Sequence, residues 1–432
     1  MKQALALWFY GALLRLVTPL YLLRLWRRGA AEPPYRQHLG ERLALYRGAA
    51  PGRGWLWVHA VSLGETRAAA PLINALRERK PGLRLLLTCS TATGREAGAE
   101  LLRAGDAQCW LPFDTPGAVR RFLAHWQPAI GVMMETEIWP QLLRAAQRRG
   151  VPVVLASARL SARSARRGAR FAALLHPAGQ RLTLALAQSE ADAARIRAAG
   201  VARVEVMGNL KYDLQPDLRL VAQGREWRER LTRPVLMFAV SREGEEALLL
   251  AEWRRTPVDA RPLLVIVPRH PQRFDEVASL IDSAGLTLAR RSQWADMPPD
   301  AALGADAWLG DSMREMPLYY GLADVALLGG SFEKLGGQNL IEAAACGCPI
   351  VMGPHTFNFT EASALAEAAG AAQRVADMAT GVQAGLALCA DPARREATSA
   401  AAESFAASHR GAAARMADAV LGVLSANASI QR

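Results

Sequence analysis

The chain is poor in cysteine, and none of its cysteines stands in a paired or metal-binding arrangement. Only five of the 432 residues are cysteine, an odd number without a C-x-x-C spacing. Such usage predicts reduced thiols in a cytosolic compartment and argues against a zinc site. Asp-x-Asp, H-E-x-x-H, Walker-loop and G-x-S-x-G motifs are also missing, which disfavours the enzyme classes that these motifs mark. Phosphate charge would instead be met by Arg, Lys and helix N-termini, and we expect no metal ion or other cofactor.

Acidic residues are too few to balance the basic ones. The 52 Lys and Arg residues outnumber the 40 Asp and Glu residues, which gives a net charge of +12 and a pI of about 10.1. The chain has no zinc-finger spacing, RNP-like aromatic motif or compact basic block, so we expect no nucleic-acid partner. Its arginines are spread along predicted helices, as at 144–149 and 163–170. An anionic membrane surface or a phosphorylated substrate suits this charge.

The first residues are more apolar than the rest of the chain. Residues 4–25 approach the roughly 20 apolar residues that a spanning helix needs, but they include Arg15, Pro19 and Arg24. Arginines also follow the segment, which by the positive-inside rule predicts that the bulk of the protein is cytoplasmic. Residues 1–28 are therefore predicted to form a membrane-associating helix, either a short anchor or an interfacial helix. A helix packed on the following domain is the alternative.

At 432 residues the chain is too long for one ordinary domain. Short apolar strands alternate with helical segments, which predicts parallel sheets buried on both faces. The pattern breaks at 213–232 and then restarts. We predict an α/β fold with two doubly wound, Rossmann-like domains facing a central cleft: 29–212, a linker at 213–232, and 233–432 with the C-terminal helices. The predicted strands are 55–61, 83–88, 129–134, 151–156, 182–187, 204–207, 235–240, 263–267, 286–289, 306–309, 324–328 and 349–352.

A glycine-rich loop between a predicted strand and a predicted helix is the most informative motif. The loop spans 329–337, and the helix opens at Gln338 and Asn339. Glycines let backbone N–H groups approach a ligand closely, and a helix start favours an anion such as phosphate. Glu342 follows one turn later, where a carboxylate can accept hydrogen bonds from sugar hydroxyls. The combination predicts a nucleotide-sugar site, with a tight connection that needs glycine only for packing as the alternative.

Polar residues follow several other predicted strands. Glu65 could be a general base or merely a helix-start acid. Of Glu135 and Glu137, one could hold structure while the other faces the cleft; a pair of solvated acids at a helix start is the alternative. Lys211 could offer a positive charge or pair with Asp213. In the second half, Arg269 lies between two prolines and could clamp a phosphate or carboxylate, and the loops at 311–315 and 353–359 are expected at the same sheet edge.

These motifs together resemble those of the 3-deoxy-D-manno-octulosonic acid (Kdo) transferases of Gram-negative bacteria, which are glycosyltransferases of the GT-B architecture. The resemblance covers nearly the whole chain. It rests on seven motifs, at residues 59–65, 134–140, 158–164, 208–213, 267–270, 329–342 and 352–359.

The resemblance implies CMP-Kdo as donor, lipid IVA as acceptor and an inverting, metal-independent transfer at the cytoplasmic side of the inner membrane, in lipopolysaccharide core synthesis. The first domain would bind the acceptor and the second the CMP-sugar. Glu65 would take the proton of the acceptor 6′-hydroxyl, and Glu135 and Lys211 would stabilise the transition state. The implied CMP-binding residues are Pro268, Arg269, Met313, Arg314, Glu315, Asn339, Leu340, Ile341 and Glu342.

Two positions depart from the family pattern. Arg314 stands where a small residue is expected, and Gln338 stands where a histidine is expected. Two other readings of the chain stay open: a GT-B enzyme that uses another nucleotide sugar, and a non-catalytic, membrane-associated protein that binds sugar nucleotides.

Overall fold

The computed structural model describes residues 2–47, 50–213 and 215–430. The strands are β1 (Trp55–His59), β2 (Leu85–Cys89), β3 (Ala107–Trp110), β4 (Pro128–Met134), β5 (Val153–Ala158), β6 (Leu184–Ala187), β7 (Val204–Val206), β8 (Val235–Ser241), β9 (Leu263–Pro268), β10 (Leu288–Arg290), β11 (Ala307–Leu309), β12 (Val325–Leu328), β13 (Ile350–Met352) and β14 (Ala372–Arg374).

The helices are α1 (Lys2–Arg28), α2 (Leu63–Arg79), α3 (Ala92–Ala99), α4 (Pro116–Trp126), α5 (Pro140–Arg148), α6 (Ala162–Ala169), α7 (Ala172–Gly179), α8 (Glu190–Ala198), α9 (Leu218–Glu229), α10 (Glu245–Trp253), α11 (Phe274–Ser283), α12 (Asp300–Leu303), α13 (Met316–Leu322), α14 (Leu340–Ala345), α15 (Thr360–Ala368), α16 (Met378–Ala390), α17 (Pro392–Ser408) and α18 (Ala412–Ile430).

The first compact unit is built on a seven-stranded sheet in the order β3-β2-β1-β4-β5-β6-β7. Neighbouring strands pair in parallel throughout. The strands in the middle are buried along their whole length except at Ala129 of β4, as expected of apolar runs covered by helices on both faces. The predicted strands are confirmed within two residues at each end. The exception is β3, a four-residue edge strand too short and polar to stand out in the sequence.

The second compact unit repeats this design, with a seven-stranded sheet in the order β10-β11-β9-β8-β12-β13-β14. Its strand pairs are parallel as well. Its predicted strands are also found, whereas β14, a three-residue edge strand, was not expected. Two parallel-sheet α/β domains are therefore confirmed.

The boundaries of the units differ from the predicted domains. The first unit contains Met1–Asp213 and also Gly411–Arg432, while the second contains Leu214–Arg410. The last helix, α18, was expected in the second domain. It packs instead against α2, because an apolar stripe that includes Met416, Val420 and Val423 fills the core of the first unit. Asp213 accepts hydrogen bonds from the backbone N–H groups of Gly411 and Ala413 and so caps the start of α18.

The predicted linker is also more structured than expected. Residues 218–229 form α9, which belongs to the second unit and packs closely on α13. Gly224 lets the helices approach, since a Cβ there would lie 2.0 Å from the carbonyl oxygen of Leu318. Trp227 is completely buried, and Arg228 forms a 2.7 Å ion pair with Asp324. The charged composition of this segment concealed a helix with one buried face.

The N-terminal helix α1 is packed along one stripe and exposed elsewhere. Leu7, Gly11 and Leu25 are buried, and Gln141 of α5 donates a hydrogen bond of 2.8 Å to the carbonyl oxygen of Leu7. Large apolar side chains on its other faces are exposed, among them Trp8, Phe9, Leu13, Leu16, Leu20 and Trp26. Within the described chain, Gln3–Arg28 is the one helix long and apolar enough to cross a membrane. The alternative, packing on the domain, is therefore present together with an outward apolar surface, and membrane association stays a prediction.

In each sheet the strand order reverses at one pair of neighbouring strands. It does so between β1 and β4 in the first sheet, and between β8 and β12 in the second. In open α/β sheets, ligands bind beyond the carboxyl ends of the strands at this switch point. The segments that follow these four strands are therefore the places to look for function.

Candidate functional site

Glu65 lies in the first turn of α2, directly after β1. Ser62 is the N-cap residue, and its side-chain oxygen accepts a hydrogen bond from Glu65 N. In return, Glu65 Oε2 accepts a 2.8 Å hydrogen bond from Val61 N, and Ser62 Oγ donates to Glu65 Oε1 at 3.3 Å. This reciprocal cap holds the carboxylate at the strand-to-helix turn. The two interpretations of Glu65, a helix-start acid and a base at the sheet edge, are thus compatible.

Glu135 and Glu137 follow β4, the strand next to β1. Glu135 has a left-handed backbone (φ 56°), which is uncommon for a residue with a side chain and costs free energy. Its N–H donates to the carbonyl oxygen of Ala156 at 2.9 Å, so this turn is fixed to the end of β5. The turn sets the directions of both acids at the switch point of the first sheet.

Glu137 is the acid of the pair that contacts the protein interior. Its Oε2 lies 3.9 Å from Nε2 of His59, the last residue of β1. His59 is completely buried, and its Nδ1 lies 3.0 Å from the carbonyl oxygen of Thr88. Nδ1 also lies 2.9 Å from Thr88 Oγ1, so the roles of the two ring nitrogens as donor or acceptor depend on the tautomer. Among the described residues that Nε2 has no hydrogen-bond partner, and Glu137 Oε2 at 3.9 Å lies beyond hydrogen-bond distance.

Burial and mutual repulsion change the acidity of these groups. Burial raises the pKa of Glu137 to about 7, and the charges of Glu65 and Glu135 contribute to the increase. Burial, together with the charge of Glu135, also raises the pKa of Glu65, against the hydrogen bonds from Val61 and Ser62. Burial lowers the pKa of His59 to about 4. At neutral pH the imidazole is neutral and Glu137 is partly protonated, so the cluster carries less negative charge than three carboxylates would.

Lys211 lies in a short 3-10 turn, Leu210–Asp213, that follows the edge strand β7. Its backbone N–H donates to Asn209 Oδ1 at 3.0 Å, and Leu210 is buried in the core that includes residues of α2 and α18. The structure therefore ties the Lys211 turn to the helix that carries Glu65. Asp213, its suggested partner, uses its carboxylate to cap α18.

In the second unit, the loops that were expected to share one sheet edge do share it. The sheet is entirely parallel, so the segments after β8, β9, β11, β12 and β13 all leave from its carboxyl edge. They contain Arg269, Met313–Glu315 and the glycine-rich loop.

The glycine-rich loop after β12 differs from the prediction in one respect. Its N–H groups were expected to face a ligand, but several are already bound by the carboxylate of Glu245. Glu245 Oε2 accepts from Gly330 N at 2.7 Å, and Oε1 accepts from Phe332 N at 3.1 Å and Glu333 N at 3.3 Å. Glu245 is completely buried. An internal carboxylate therefore holds this part of the loop, and these three N–H groups are not available to a ligand.

Close packing accounts for the first glycine of that loop. A Cβ on Gly329 would lie 2.4 Å from the carbonyl oxygen of Val240. Val240 itself has φ 56°, an outlier for a β-branched residue, and lies where the pairing of β8 with β9 shifts register. The packing alternative thus applies to this part of the loop.

Arg269 and Gln338 connect two of the loops. Arg269 Nη1 donates to Gln338 Oε1 at 3.0 Å, and the Arg269 backbone N–H donates to the carbonyl oxygen of Ser241 at 3.0 Å. Pro268 is the last residue of β9. Gln338, noted above as a departure from the family pattern, therefore orients the arginine that was predicted to bind phosphate.

The start of α14 agrees with the prediction. Asn339 is its N-cap residue, and Asn339 Oδ1 accepts from Ile341 N at 3.3 Å. Leu340 and Ile341 are buried, so only their backbone groups are suited to a ligand. Glu342 is partly exposed in the first turn of the helix.

The segment after β11 presents backbone more than side chains. Arg314 has φ 68°, which gives a physical reason why a small residue suits this position. Met313 is exposed. Glu315 forms a 2.8 Å ion pair with Arg291, so its carboxylate is engaged within the protein.

Several residues of these edges were not singled out by the sequence as functional. In the sequence, His59 and Glu245 look like ordinary strand-end and helix-start residues. Neither their spacing nor their residue type predicts the contacts that they make inside the protein. Glu246 is similar: it is buried against Arg273, with oxygen–nitrogen distances of 2.7 and 3.1 Å. Within the described residues, no group of three or more His, Cys, Asp or Glu side chains is arranged to hold a metal ion; metal independence stays a prediction.

Two parallel-sheet α/β units, each with polar residues at its switch point, are the architecture of the GT-B glycosyltransferase class. A family model described as 3-Deoxy-D-manno-octulosonic-acid transferase (kdotransferase) matches residues 37–214. A 3-deoxy-D-manno-octulosonic acid transferase of Bordetella pertussis is 46% identical over 428 residues, 95% of this chain and 98% of that protein. The chain belongs to the Kdo transferase family.

Other comparisons agree with this assignment. A 3-deoxy-D-manno-octulosonic acid transferase of Haemophilus influenzae is 36% identical over 362 residues, 82% of this chain and 83% of that protein. Among solved structures, UDP-GlcNAc 2-epimerase from Neisseria meningitidis, bound to UDP-GlcNAc, covers 85% of this chain and 99% of its own with a TM-score of 0.56. At 14% identity that likeness concerns the fold alone.

Proposed function

We propose that this protein transfers Kdo from CMP-Kdo to the 6′-hydroxyl of lipid IVA, with inversion at the anomeric carbon. The observation that carries the proposal is the capped, partly buried Glu65 at the switch point of the first sheet, in a chain that is 46% identical to a Kdo transferase over nearly its whole length.

Glu65 is the proposed general base. A carboxylate whose pKa is raised accepts a proton more readily than an ordinary one, and burial raises the pKa of Glu65. In the reaction Glu65 takes the proton of the acceptor hydroxyl. That oxygen attacks the anomeric carbon of Kdo, and the bond from this carbon to the phosphate oxygen of CMP breaks. CMP leaves with the bonding electron pair.

Glu135 and Lys211 are the proposed stabilisers of the transition state. Departure of CMP gives the sugar oxocarbenium character, which an anionic Glu135 favours, while Lys211 favours the departing phosphate. The proton that Glu137 retains near neutral pH supports this arrangement, because it limits the repulsion among Glu65, Glu135 and Glu137. Glu137 and His59 thus position charge and are not proposed to touch the substrate.

The second unit is the proposed donor domain. Arg269, oriented by Gln338, binds the phosphate of CMP, and the backbone at Pro268 and 313–315 contacts the nucleotide. Asn339, Leu340 and Ile341 offer the start of α14, and Glu342 accepts hydrogen bonds from sugar hydroxyls. Arg269 supplies positive charge at an edge where three N–H groups of the glycine-rich loop already bind Glu245.

Attachment to the cytoplasmic side of the inner membrane is part of the proposal, and the exposed apolar faces of α1 support the attachment itself. Because one stripe of α1 packs on the first unit, an interfacial position fits better than a deep span, which would require that packing to be broken. Arg15 near the middle of the helix adds to this argument, since a charge at the bilayer centre costs about 2.5–3.5 kcal/mol by insertion scales.

Thermal shift with nucleotides tests the donor assignment. CMP should raise the melting temperature of the purified protein, and UDP at the same concentration should raise it much less. A larger shift with UDP would favour an enzyme that uses another nucleotide sugar. Binding of CMP without turnover of CMP-Kdo in the presence of lipid IVA would favour a non-catalytic binding protein.

A further inference from the structure

A basic pocket lies beside α1 in the first unit. It is a cavity of about 380 Å³ formed where α1 meets α4 and α5. Arginines from all three elements line it: Arg15 of α1, Arg120 of α4, and Arg144, Arg148 and Arg149 of α5 and its C-terminal end. Asp and Glu are absent from its lining. We call this cavity the arginine pocket.

The positive charge of the arginine pocket is not neutralised within the protein. Across residues 2–47, 50–213 and 215–430, none of the five arginines takes part in an ion pair within 4.0 Å. Two of them donate to backbone carbonyls, Arg120 to Pro116 and Arg149 to Leu123. These charges also act on a neighbouring arginine. The pKa of Arg181 is lowered first by burial and then by the charges of Arg144 and Arg148.

The helix dipole explains only part of this arrangement. Cations are favourable at a helix C-terminus, and Arg148 and Arg149 lie at that end of α5. Arg144 is a turn earlier, and Arg15 and Arg120 come from other helices. Four of the five arginines are exposed and Arg144 is half-buried, so solvent screens much of their repulsion, and an anion in the pocket would offset the remainder.

The position of the pocket indicates where such an anion would come from. Trp8, which also lines the cavity, is 63% exposed, and Leu5, Leu13 and Leu16 of the same helix are exposed as well. A helix that lies in the membrane interface places its apolar side chains among acyl chains and neighbouring polar groups at the level of the headgroups. The pocket is thus next to the apolar surface.

We propose that the arginine pocket binds the phosphate of an anionic membrane phospholipid whose acyl chains lie along α1. Guanidinium groups bind phosphate oxygens through paired, charge-assisted hydrogen bonds. Several arginines around one cavity favour a headgroup with a net negative charge over a zwitterionic headgroup, whose own cation they would repel. The inference rests on the proposed membrane attachment of α1. It adds a defined headgroup site to that attachment, separate from the donor and acceptor sites.

The test compares two double variants of equal charge. Arg144→Gln/Arg148→Gln removes charge from the pocket, and Arg166→Gln/Arg167→Gln removes the same charge from exposed positions on α6. Native mass spectrometry of the detergent-solubilised proteins, titrated with phosphatidylglycerol or phosphatidylcholine, measures lipid binding without a membrane or a sugar donor. Melting temperature and the CMP-induced shift serve as checks of folding.

We expect the unaltered protein and the α6 variant to retain phosphatidylglycerol, and the pocket variant to bind it about tenfold more weakly or worse. Equal losses in the two variants, or no preference of the unaltered protein for phosphatidylglycerol, would overturn the proposal. An unchanged lipid affinity with a raised KM for lipid IVA would also overturn it, and would assign the pocket to an acceptor phosphate. Loss of transfer activity alone, with lipid binding intact, would count against the proposed function and not against this site.

Discussion

Glu65 and Glu137 lie on neighbouring segments of the first sheet edge but are held differently. Glu65 is capped by hydrogen bonds from Val61 and Ser62. Glu137 lies 3.9 Å from a buried imidazole nitrogen, and burial raises its pKa to about 7. The first arrangement favours a carboxylate that accepts a proton during the reaction, and the second favours a carboxylic acid that keeps one.

Replacing Glu65 tests the proposed base. Glu65→Gln should lower kcat for transfer by about 10²-fold or more, the usual worth of a general base, and should leave the CMP-induced thermal shift unchanged. Glu78→Gln, the same change at an exposed position of the same helix, is the control. Retention of more than about a tenth of wild-type turnover by Glu65→Gln would rule out this role.

The raised pKa of Glu137 predicts a pH-dependent stability. The pKa of Glu137 in the folded protein, about 7, exceeds the ordinary glutamate value of 4.5. The stability that protonated Glu137 contributes to the folded state is therefore fully present below about pH 4.5 and is lost as pH rises through about 7. Glu137→Gln does not titrate. Its stability relative to wild type should therefore increase from pH 5 to pH 8, by at most about 3 kcal/mol at roughly 1.4 kcal/mol per pKa unit.

Urea denaturation of Glu137→Gln and wild type at both pH values measures this difference, with Glu78→Gln again as control. A stability difference that is the same at pH 5 and pH 8, or that shrinks at pH 8, would show that Glu137 does not hold a proton in the folded protein.

Arg269 is the residue on which the proposed phosphate contact depends most. Arg269→Ala should weaken CMP binding by about 1.5–3 kcal/mol, the range for a hydrogen bond to a charged group. Gln338→Ala should cause a smaller loss, because Gln338 only orients the arginine. Calorimetry measures both, with Arg219→Ala at a fully exposed site as the control. An unchanged dissociation constant for Arg269→Ala would exclude the contact.

Among the secondary-structure elements, α1 combines two roles that the sequence could not separate. Its composition predicts affinity for a membrane, but packing of Leu7 and Gly11 on the first unit depends on contacts with Gln141 and Pro116, which are remote in sequence. Removal of residues 1–28 should release the protein from membranes, and by uncovering these contacts it should also lower the stability of the first unit.

Substitutions on the outer faces of α1 avoid that complication. Leu13→Ser/Leu16→Ser/Leu20→Ser changes side chains that are 59%, 76% and 69% exposed. The variant should keep its melting temperature and bind anionic liposomes at least about tenfold more weakly, since each buried Leu contributes about 1.5–3 kcal/mol. Leu218→Ser, also exposed, is the control. Full co-sedimentation of the triple variant would place the membrane contact elsewhere.

The strands were the most predictable elements, for a simple physical reason. A strand covered on both faces is apolar along most of its length, as in Leu263–Pro268 and in Val153–Ala158, where Ser157 is the one polar residue. The edge strands Ala107–Trp110 and Ala372–Arg374 lack this signature and were missed. Strand-end motifs identified Glu65, Glu135 and Arg269, whereas the contacts of His59 and Glu245 depend on backbone turns brought together only by the fold.

At the scale of the whole molecule, the sequence did not predict how the C-terminal helices are divided between the two units. The alanine-rich residues from 392 onward form one helical pattern in the sequence, yet α17 belongs to the second unit and α18 to the first. Nothing in the helical periodicity says which sheet a helix will cover. The difference follows from the break at 409–411 and from the groove that receives Met416 and Val420.

The net charge of +12 belongs to the molecule as a whole, and it suits a protein that works beside phosphorylated lipids. Charge alone could serve many anionic partners. Sugar transfer from a nucleotide donor is the function that the family assignment supports. The capped Glu65 and the Arg269–Gln338 contact are consistent with it.

Mass spectrometry of the lipid product tests this account most directly. The purified protein is incubated with CMP-Kdo and lipid IVA in detergent, with Glu65→Gln as a parallel sample. The account predicts that lipid IVA gains the mass of one or more Kdo residues, that CMP appears in equal amount, and that Glu65→Gln gives almost no product. Unmodified lipid IVA with intact CMP-Kdo, or release of free Kdo without a lipid product, would contradict it.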